Sequence, residues 1–403
     1  MTERLYYRDS FLRHFDAQVL SCEQEGEGRN ARWRIVLDRT AFYPRSGGQP
    51  HDTGKLGGVS VVEVGDSDAG DGIIHYTLAP VKLGHVRGEI DWTRRFDHMQ
   101  QHTGQHLLSA AFVELFNFPT VSFHLGRDAS SIDLEAPSIV PRHLEEAERR
   151  TNEIIFEDRV VAVRFGTAEE LAEAGVRKKV DREGVLRAIE VDGYDRQPCG
   201  GTHLARTGQA GMLLLRKLEK RRDVWRLEFV CGLRALAAAR GDFATLTEAA
   251  SLLSCGLSDV PSVVAKTMEE RGAQHGNAKR LEERLAELES QALLAKISPG
   301  AADSARIVDA VLEDATPAYL GLVAGKIVAR PNIIGLLAGR STGHIAFAQS
   351  SGGKTDVGKL LREILTEFDG KGGGKKDFAQ GSIPDAAQVE VLISRAKQAL
   401  GKL

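Results

Sequence analysis

His102-Thr103-Gly104-Gln105-His106 is the stretch that decides how this chain folds. Two histidines four residues apart on a helix lie about 40° apart in angle and about 6 Å apart along the axis, so both imidazoles can grip one metal ion. Farther on, Cys199-Gly200-Gly201-Thr202-His203 repeats the spacing with a softer first ligand. Either pair alone could be chance. Together they offer one Cys and three His, a nitrogen and sulfur set that suits Zn²⁺ better than Mg²⁺ or Ca²⁺. Gly200-Gly201 argue that the second pair sits on a loop rather than a helix. Thr103 and Gln105 lie between the histidines, so no glutamate base of the metalloprotease kind is present on this helix.

Around that helix, apolar Leu107, Leu108, Ala111, Phe112 and Leu115 recur at helical spacing, predicting a helix over Phe96–Phe116 with this face packed inward. On its N-terminal side, residues 5–90 read as short β-branched or aromatic strands: Ala17–Leu20, Ala31–Leu37, Val59–Val64 and Ile73–Tyr76. Gly-, Asp- and Ser-rich turns separate them, which predicts a small β-barrel or sandwich. A strand over Gly84–Trp92 leads into the helix. Between the second and third strands, Pro44 and Gly47-Gly48 force an irregular loop that presents the Gln49 amide and the Arg45 charge. On the C-terminal side, Thr120–Leu125 and Ser130–Leu134 read as a hairpin. Pro141 opens a helix, Val160–Phe165 and Leu186–Val191 are strands, and a short acidic helix lies near Glu169–Ala174. This mixture predicts a two-layer α+β domain with the metal between helix and loop.

The chain has 403 residues, enough for two to four domains. Hydrophobic residues make up 42% and charged ones 27%, and the net charge is −3, so nucleic-acid contact must come from local patches. Residues 213–240 form such a patch, with eight positive and three negative side chains. Arg216, Lys217, Lys220, Arg221 and Arg222 are its densest part. They read as an RNA-backbone contact or as a solvated hairpin with Trp225 packed inward. The four cysteines are scattered, which fits a reducing cytosol and predicts a cytoplasmic protein. No apolar run approaches a membrane span, and the first residues hold no apolar signal core.

From Asp242 to about Ile297, Leu281, Leu285, Leu288, Ala292 and Ala295 recur at three- and four-residue spacing among Glu and Arg. That predicts one or two helices of coiled-coil type, a spacer or dimer seam closed by Pro299-Gly300. Residues 305–400 read as a separate α/β domain. Within it, Gly370–Gly381 carries five glycines and three lysines. We read it as a positive loop rich in backbone N–H groups that can cradle phosphate through Lys371, Gly372, Gly373, Gly374, Lys375 and Lys376. It lacks the order of a Walker A loop, so no ATP-binding fold is expected.

With these residues in view, the chain resembles the alanyl-tRNA editing proteins of the AlaX type and the editing region of alanyl-tRNA synthetases. Phe42-Tyr-Pro-Arg-Ser-Gly-Gly-Gln49, Asp91-Trp-Thr-Arg-Arg95, the two ligand motifs and Ser122-Phe-His-Leu-Gly126 carry the likeness. The glycine–lysine segment resembles the DHHA1 domain; no Asp-His-His triplet of the DHH phosphoesterases is found. No synthetase active-site domain precedes residue 1, so the resemblance is to the free-standing, trans-acting form.

The resemblance implies four parts: a β-barrel domain (1–90), a zinc-dependent editing domain (91–240), a helical spacer (241–298) and a DHHA1-like RNA-binding domain (299–403). It implies a cytoplasmic hydrolase serving translation fidelity, which frees tRNA(Ala) mischarged with serine or glycine. One zinc ion per chain would sit on His102, His106, Cys199 and His203. The substrate pocket would be lined by Thr120, Ser122, His124, Gln105, Gly200 and Gly201, with Gln49 also a substrate-binding candidate. Gln105 and His124 are the catalytic candidates, His124 being the best spare acid/base group. A homodimer through the spacer or the C-terminal domain is a further expectation. The alternative is a non-catalytic, zinc-stabilised tRNA-binding module.

Overall fold

The computed structural model describes residues 2–28, 31–67, 72–173, 175, 184–297 and 305–401. It divides into two compact units, 1–249 and 250–403. The expected Pro299-Gly300 stop lies outside the described residues.

The first unit opens with strands β1 (Glu3–Arg4), β2 (His14–Glu25), β3 (Arg32–Leu37), β4 (Arg39–Thr40), β5 (Gly54–Leu56), β6 (Val59–Asp66), β7 (Ile73–Thr77) and β8 (Gly84–Ile90). Six of them close into a barrel in the order β2-β3-β7-β6-β5-β8. Closure leaves no strand edge unpaired. The period-2 pattern is plain at the start of β2, where Phe15, Ala17 and Val19 face in and His14, Asp16 and Gln18 face out. With Ile35, Leu37, Phe42 and Leu56 they fill the barrel.

Helix α1 (Trp92–Phe116) begins one residue after Asp91, whose side chain accepts from Arg94 N. This cap extends the helix four residues upstream of the predicted start and ends the preceding strand at Ile90. Asn117 closes it in the left-handed conformation. Leu107, Leu108, Ala111 and Phe112 are buried, whereas Leu115, expected on the same face, is 37% exposed in the last turn. Strands β9 (Thr120–Leu125) and β10 (Ser130–Leu134) follow, then α2 (Pro141–Phe156), β11 (Val161–Gly166), α3 (Ala168–Glu173), β12 (Leu186–Val191), β13 (Asp195–Pro198), β14 (Leu213–Arg221), β15 (Val224–Cys231) and α4 (Gly232–Leu253). One sheet runs β14-β15-β10-β9 and a second β11-β12-β13. Their side chains share one core with α1 and α2, centred on Met99, Leu108, Phe112, Ile132, Ile154 and Phe229.

In the second unit, α5 (Val260–Ala295) precedes β16 (Arg306–Leu312), α6 (Pro317–Val328), β17 (Ile333–Gly339), β18 (His344–Gln349), α7 (Val357–Glu367), β19 (Lys371–Gly374), β20 (Phe378–Ser382) and α8 (Val389–Leu400). The sheet order is β16-β17-β18-β20-β19. Strand β17 is buried throughout, because Ile334, Leu336 and Ala338 meet α7 and α8 while Ile333 and Leu337 meet α5 and α6. Ala286 and Ser290 are the buried residues of α5, and Leu281, Leu285 and Leu288 are exposed. The glycine–lysine segment differs from the expected loop. Lys371–Gly374 is an edge strand paired antiparallel with β20. Its glycines permit this, since a Cβ at Gly372 would collide with Gly381 and Leu365.

Candidate metal centre and cavity

Four side chains converge inside the first unit: His102 and His106 from the middle of α1, and Cys199 and His203 from the loop after β13. Their ligand atoms all lie within 4.8 Å of one another. Cys199 Sγ is 3.4 Å from His102 Nε2 and 3.3 Å from His203 Nε2. A tetrahedral zinc site with the usual Zn–N and Zn–S lengths has an N···S edge of about 3.5 Å, so the donor set fits such an ion.

Two of the other ring nitrogens are hydrogen-bonded, and the third faces a carboxylate. His102 Nδ1 donates to Gln49 Oε1 at 2.8 Å, His203 Nδ1 meets Thr103 Oγ1 at 3.2 Å, and His106 Nδ1 faces the buried Asp195 carboxylate at 4.0 Å. Outer partners of this kind fix ring orientation and leave Nε2 for a metal. Burial, joined by the Arg187 charge, pushes His102 down to about 3, and burial with neighbouring positive charge holds His203 well below its ordinary value. Both rings are therefore neutral and able to coordinate. Burial raises the Cys199 thiol, so a metal would have to displace its proton. Arg187 pins the second ligand loop, donating through Nη1 to Cys199 O (2.6 Å) and Gly201 O (2.9 Å) and through Nε to Tyr7 O (2.9 Å).

A cavity of about 780 Å³ opens beside these residues, far larger than one amino acid needs. His102, His106, Cys199, Gly200 and Gly201 form its floor. Along one wall Gln105 Nε2 donates to Ser109 Oγ (2.9 Å), and Ser109 Oγ bonds Thr120 Oγ1 (2.7 Å). Among the described residues, no Asp or Glu lines the cavity.

The expected site residues fall into several groups. Gln105, Thr120, Ser122, Gly200 and Gly201 line the cavity with His102, His106 and Cys199, whereas His203 stands behind them. The Ser122 hydroxyl itself is turned to Asp133 Oδ2 at 2.5 Å. His124 is exposed on β9 opposite Ser131 and does not line the cavity, whereas the adjacent Phe123 packs on the His102 ring with centroids 5.1 Å apart. Alternation along the strand sends His124 to the other face. Gln49 is 1% exposed and does not line the cavity either.

On the β14–β15 hairpin, Arg216 pairs with Asp242, Lys217 and Arg221 with Glu219, and Lys220 lies over the Trp225 ring. Arg222 holds the turn in the left-handed region (φ 45°). Lys375 and Lys376 are exposed in the β19–β20 turn, and Lys371 with Gly372, Gly373 and Gly374 forms the edge strand itself. Thr103, Ser109, Asp195 and Arg187 escaped the sequence reading. The visible signal for Arg187 was an arginine in the otherwise apolar run Leu186-Arg-Ala-Ile189.

The α+β domain that holds the Cys/His₃ cluster contains a tRNA synthetase additional domain. Residues 186–228, which include Cys199 and His203, match the threonyl and alanyl tRNA synthetase second additional domain, and residues 305–402 match the DHHA1 domain. Alanyl-tRNA editing protein AlaX-L of Pyrococcus horikoshii is 30% identical over 399 residues, 95% of each chain. Alanyl-tRNA editing protein Aarsd1 of Danio rerio is 30% identical over 96% of each chain. The alanine–tRNA ligase of Pyrococcus abyssi is 32% identical over 99% of this chain and 43% of the ligase. The chain belongs to the alanyl-tRNA editing protein family.

Proposed function

We propose that this protein hydrolyses the ester joining serine or glycine to tRNA(Ala), with one Zn²⁺ on His102, His106, Cys199 and His203. The carrying observation is the convergence of those four donors, two of them held by outer hydrogen bonds and three of them lining a cavity whose described lining holds no Asp, Glu, Lys or Arg. The relatives named alanyl-tRNA editing proteins support the same substrate class. Bound zinc supplies Lewis acidity toward an ester carbonyl.

The rest is the work of the chain itself. Gln105, Ser109 and Thr120 present hydrogen-bonding groups to a serine hydroxyl. Alanine leaves those groups facing a methyl, which costs on the order of 1–3 kcal/mol and spares the correctly charged tRNA. Glycine leaves that space open to a water molecule that can meet the same groups, which the alanine methyl excludes. Phe123 on the His102 ring keeps water from that side of the centre. Lys375, Lys376 and the β14–β15 basic residues supply charge for the RNA backbone. Single-turnover deacylation of Ser-tRNA(Ala) by metal-loaded and chelator-stripped protein tests the reading. Release that depends on zinc supports it; zinc and tRNA binding without release moves the centre to a structural role, which a closed four-donor set also permits.

A further inference from the structure

Gln49 belongs to the barrel, yet it ends up inside the metal centre. Its loop turns through Gly47 and Gly48, both at positive φ, and Gly48 O accepts from Leu125 N of β9 at 3.0 Å. The stem is tied to α1 by a wholly buried ion pair, with Arg95 Nε 3.0 Å from Asp52 Oδ1 and Asp52 Oδ2 accepting from Tyr43 N at 2.6 Å. Held at both ends, the loop drives the Gln49 side chain inward. Oε1 accepts from His102 Nδ1 at 2.8 Å and from Thr202 N at 3.3 Å, and Nε2 donates to Thr202 Oγ1 at 2.8 Å. Because Thr202 N can only donate, the atom it meets is the amide oxygen, and His102 must carry its proton on Nδ1. A Cβ at Gly201 would run into the His102 ring and crowd Gln49 Oε1, so this junction admits only glycine.

We propose that Gln49 is a positioning residue of the metal centre, not a substrate contact. One amide from the barrel fixes the tautomer and ring angle of His102. It also fastens that helix ligand to the Cys199–His203 loop, whose first ligand is 97 residues away in sequence. Without it the ring turns about its own side-chain bond and the loop loses one of its ties to α1, the Thr103 contacts to His203 and Leu204 remaining. The metal affinity of the editing domain is therefore set partly by the barrel. The inference rests on reading the four residues as ligands.

The test titrates apo protein with Zn²⁺ against a competing chelator and records the d–d absorption of the Co²⁺-loaded protein. Gln49→Met should bind zinc roughly 10–100-fold more weakly and shift the Co²⁺ bands. Gln49→Glu, which keeps size and an acceptor for Nδ1, should restore most of the affinity. Thr202→Val leaves Gln49 and the loop packing in place, removes only the anchor of its amide, and should also weaken binding. Zinc affinity and Co²⁺ spectra unchanged in Gln49→Met, or in Thr202→Val should the first variant not fold, overturn the proposal. Wild-type protein that binds neither metal strikes the ligand reading instead.

Discussion

At the scale of residues, the account rests on neutral imidazoles and tight packing. Gly201→Ala places a methyl in the His102 ring, so metal affinity should fall roughly 10–100-fold. Deacylation should fall with it, while the second unit melts unchanged; a fully active, metal-bound variant contradicts this. His124→Ala should leave kcat near wild type, because that ring lies outside the cavity; a large loss of kcat restores it as a catalytic residue. Thr120→Val should raise Ala-tRNA(Ala) hydrolysis relative to Ser-tRNA(Ala) by about tenfold, the equivalent of one lost hydroxyl contact. The four ligand candidates were legible because each pair sits within one turn or one loop. Their outer partners were not. Asp195 and Arg187 reach the centre only through contacts that local spacing cannot encode, and Gln49 was singled out from its loop but as a substrate contact rather than a partner of His102.

At the scale of elements, the barrel holds a titration of its own. His75 is fully enclosed, its ring 2.8 Å from Thr40 Oγ1, and burial lowers it to about 4. The unfolded chain takes up this proton below about 6.5. Between those values the unfolded state binds more protons, so stability is complete above pH 6.5 and falls as pH drops toward 4. From pH 7 to pH 5 this group alone should cost about 2 kcal/mol. Urea midpoints at the two pH values, compared with those of His75→Gln, measure it; equal slopes in both proteins contradict the assignment. The glycine–lysine hairpin shows why part of the fold stayed hidden. Four of the residues in Lys371–Gly374 and its pairing partner Gly381 are glycines, poor strand formers by propensity, yet the missing side chains are what allow α7 and β20 to close over them. Similarly, Pro198 disguised β13, whereas α1, with its apolar repeat, was readable along most of its length.

At the scale of the whole molecule, each unit carries its own core, so chemistry and RNA affinity should separate. Lys375 and Lys376 changed together to Ala should weaken tRNA binding and reduce its salt slope by about 2, while single-turnover deacylation of saturating substrate stays near wild type. An unchanged slope removes the β19–β20 turn from the RNA interface. The Leu281, Leu285 and Leu288 stripe on α5 was legible as a heptad-like pattern, and all three side chains are half or more exposed. The central claim is zinc-dependent selective ester hydrolysis. The most direct measurement is deacylation of Ser-tRNA(Ala), Gly-tRNA(Ala) and Ala-tRNA(Ala) side by side, with and without a zinc chelator. The account predicts rapid release of serine or glycine, alanine spared, and loss of release on chelation that added zinc reverses. Binding of all three without release, or release untouched by chelation, would contradict it.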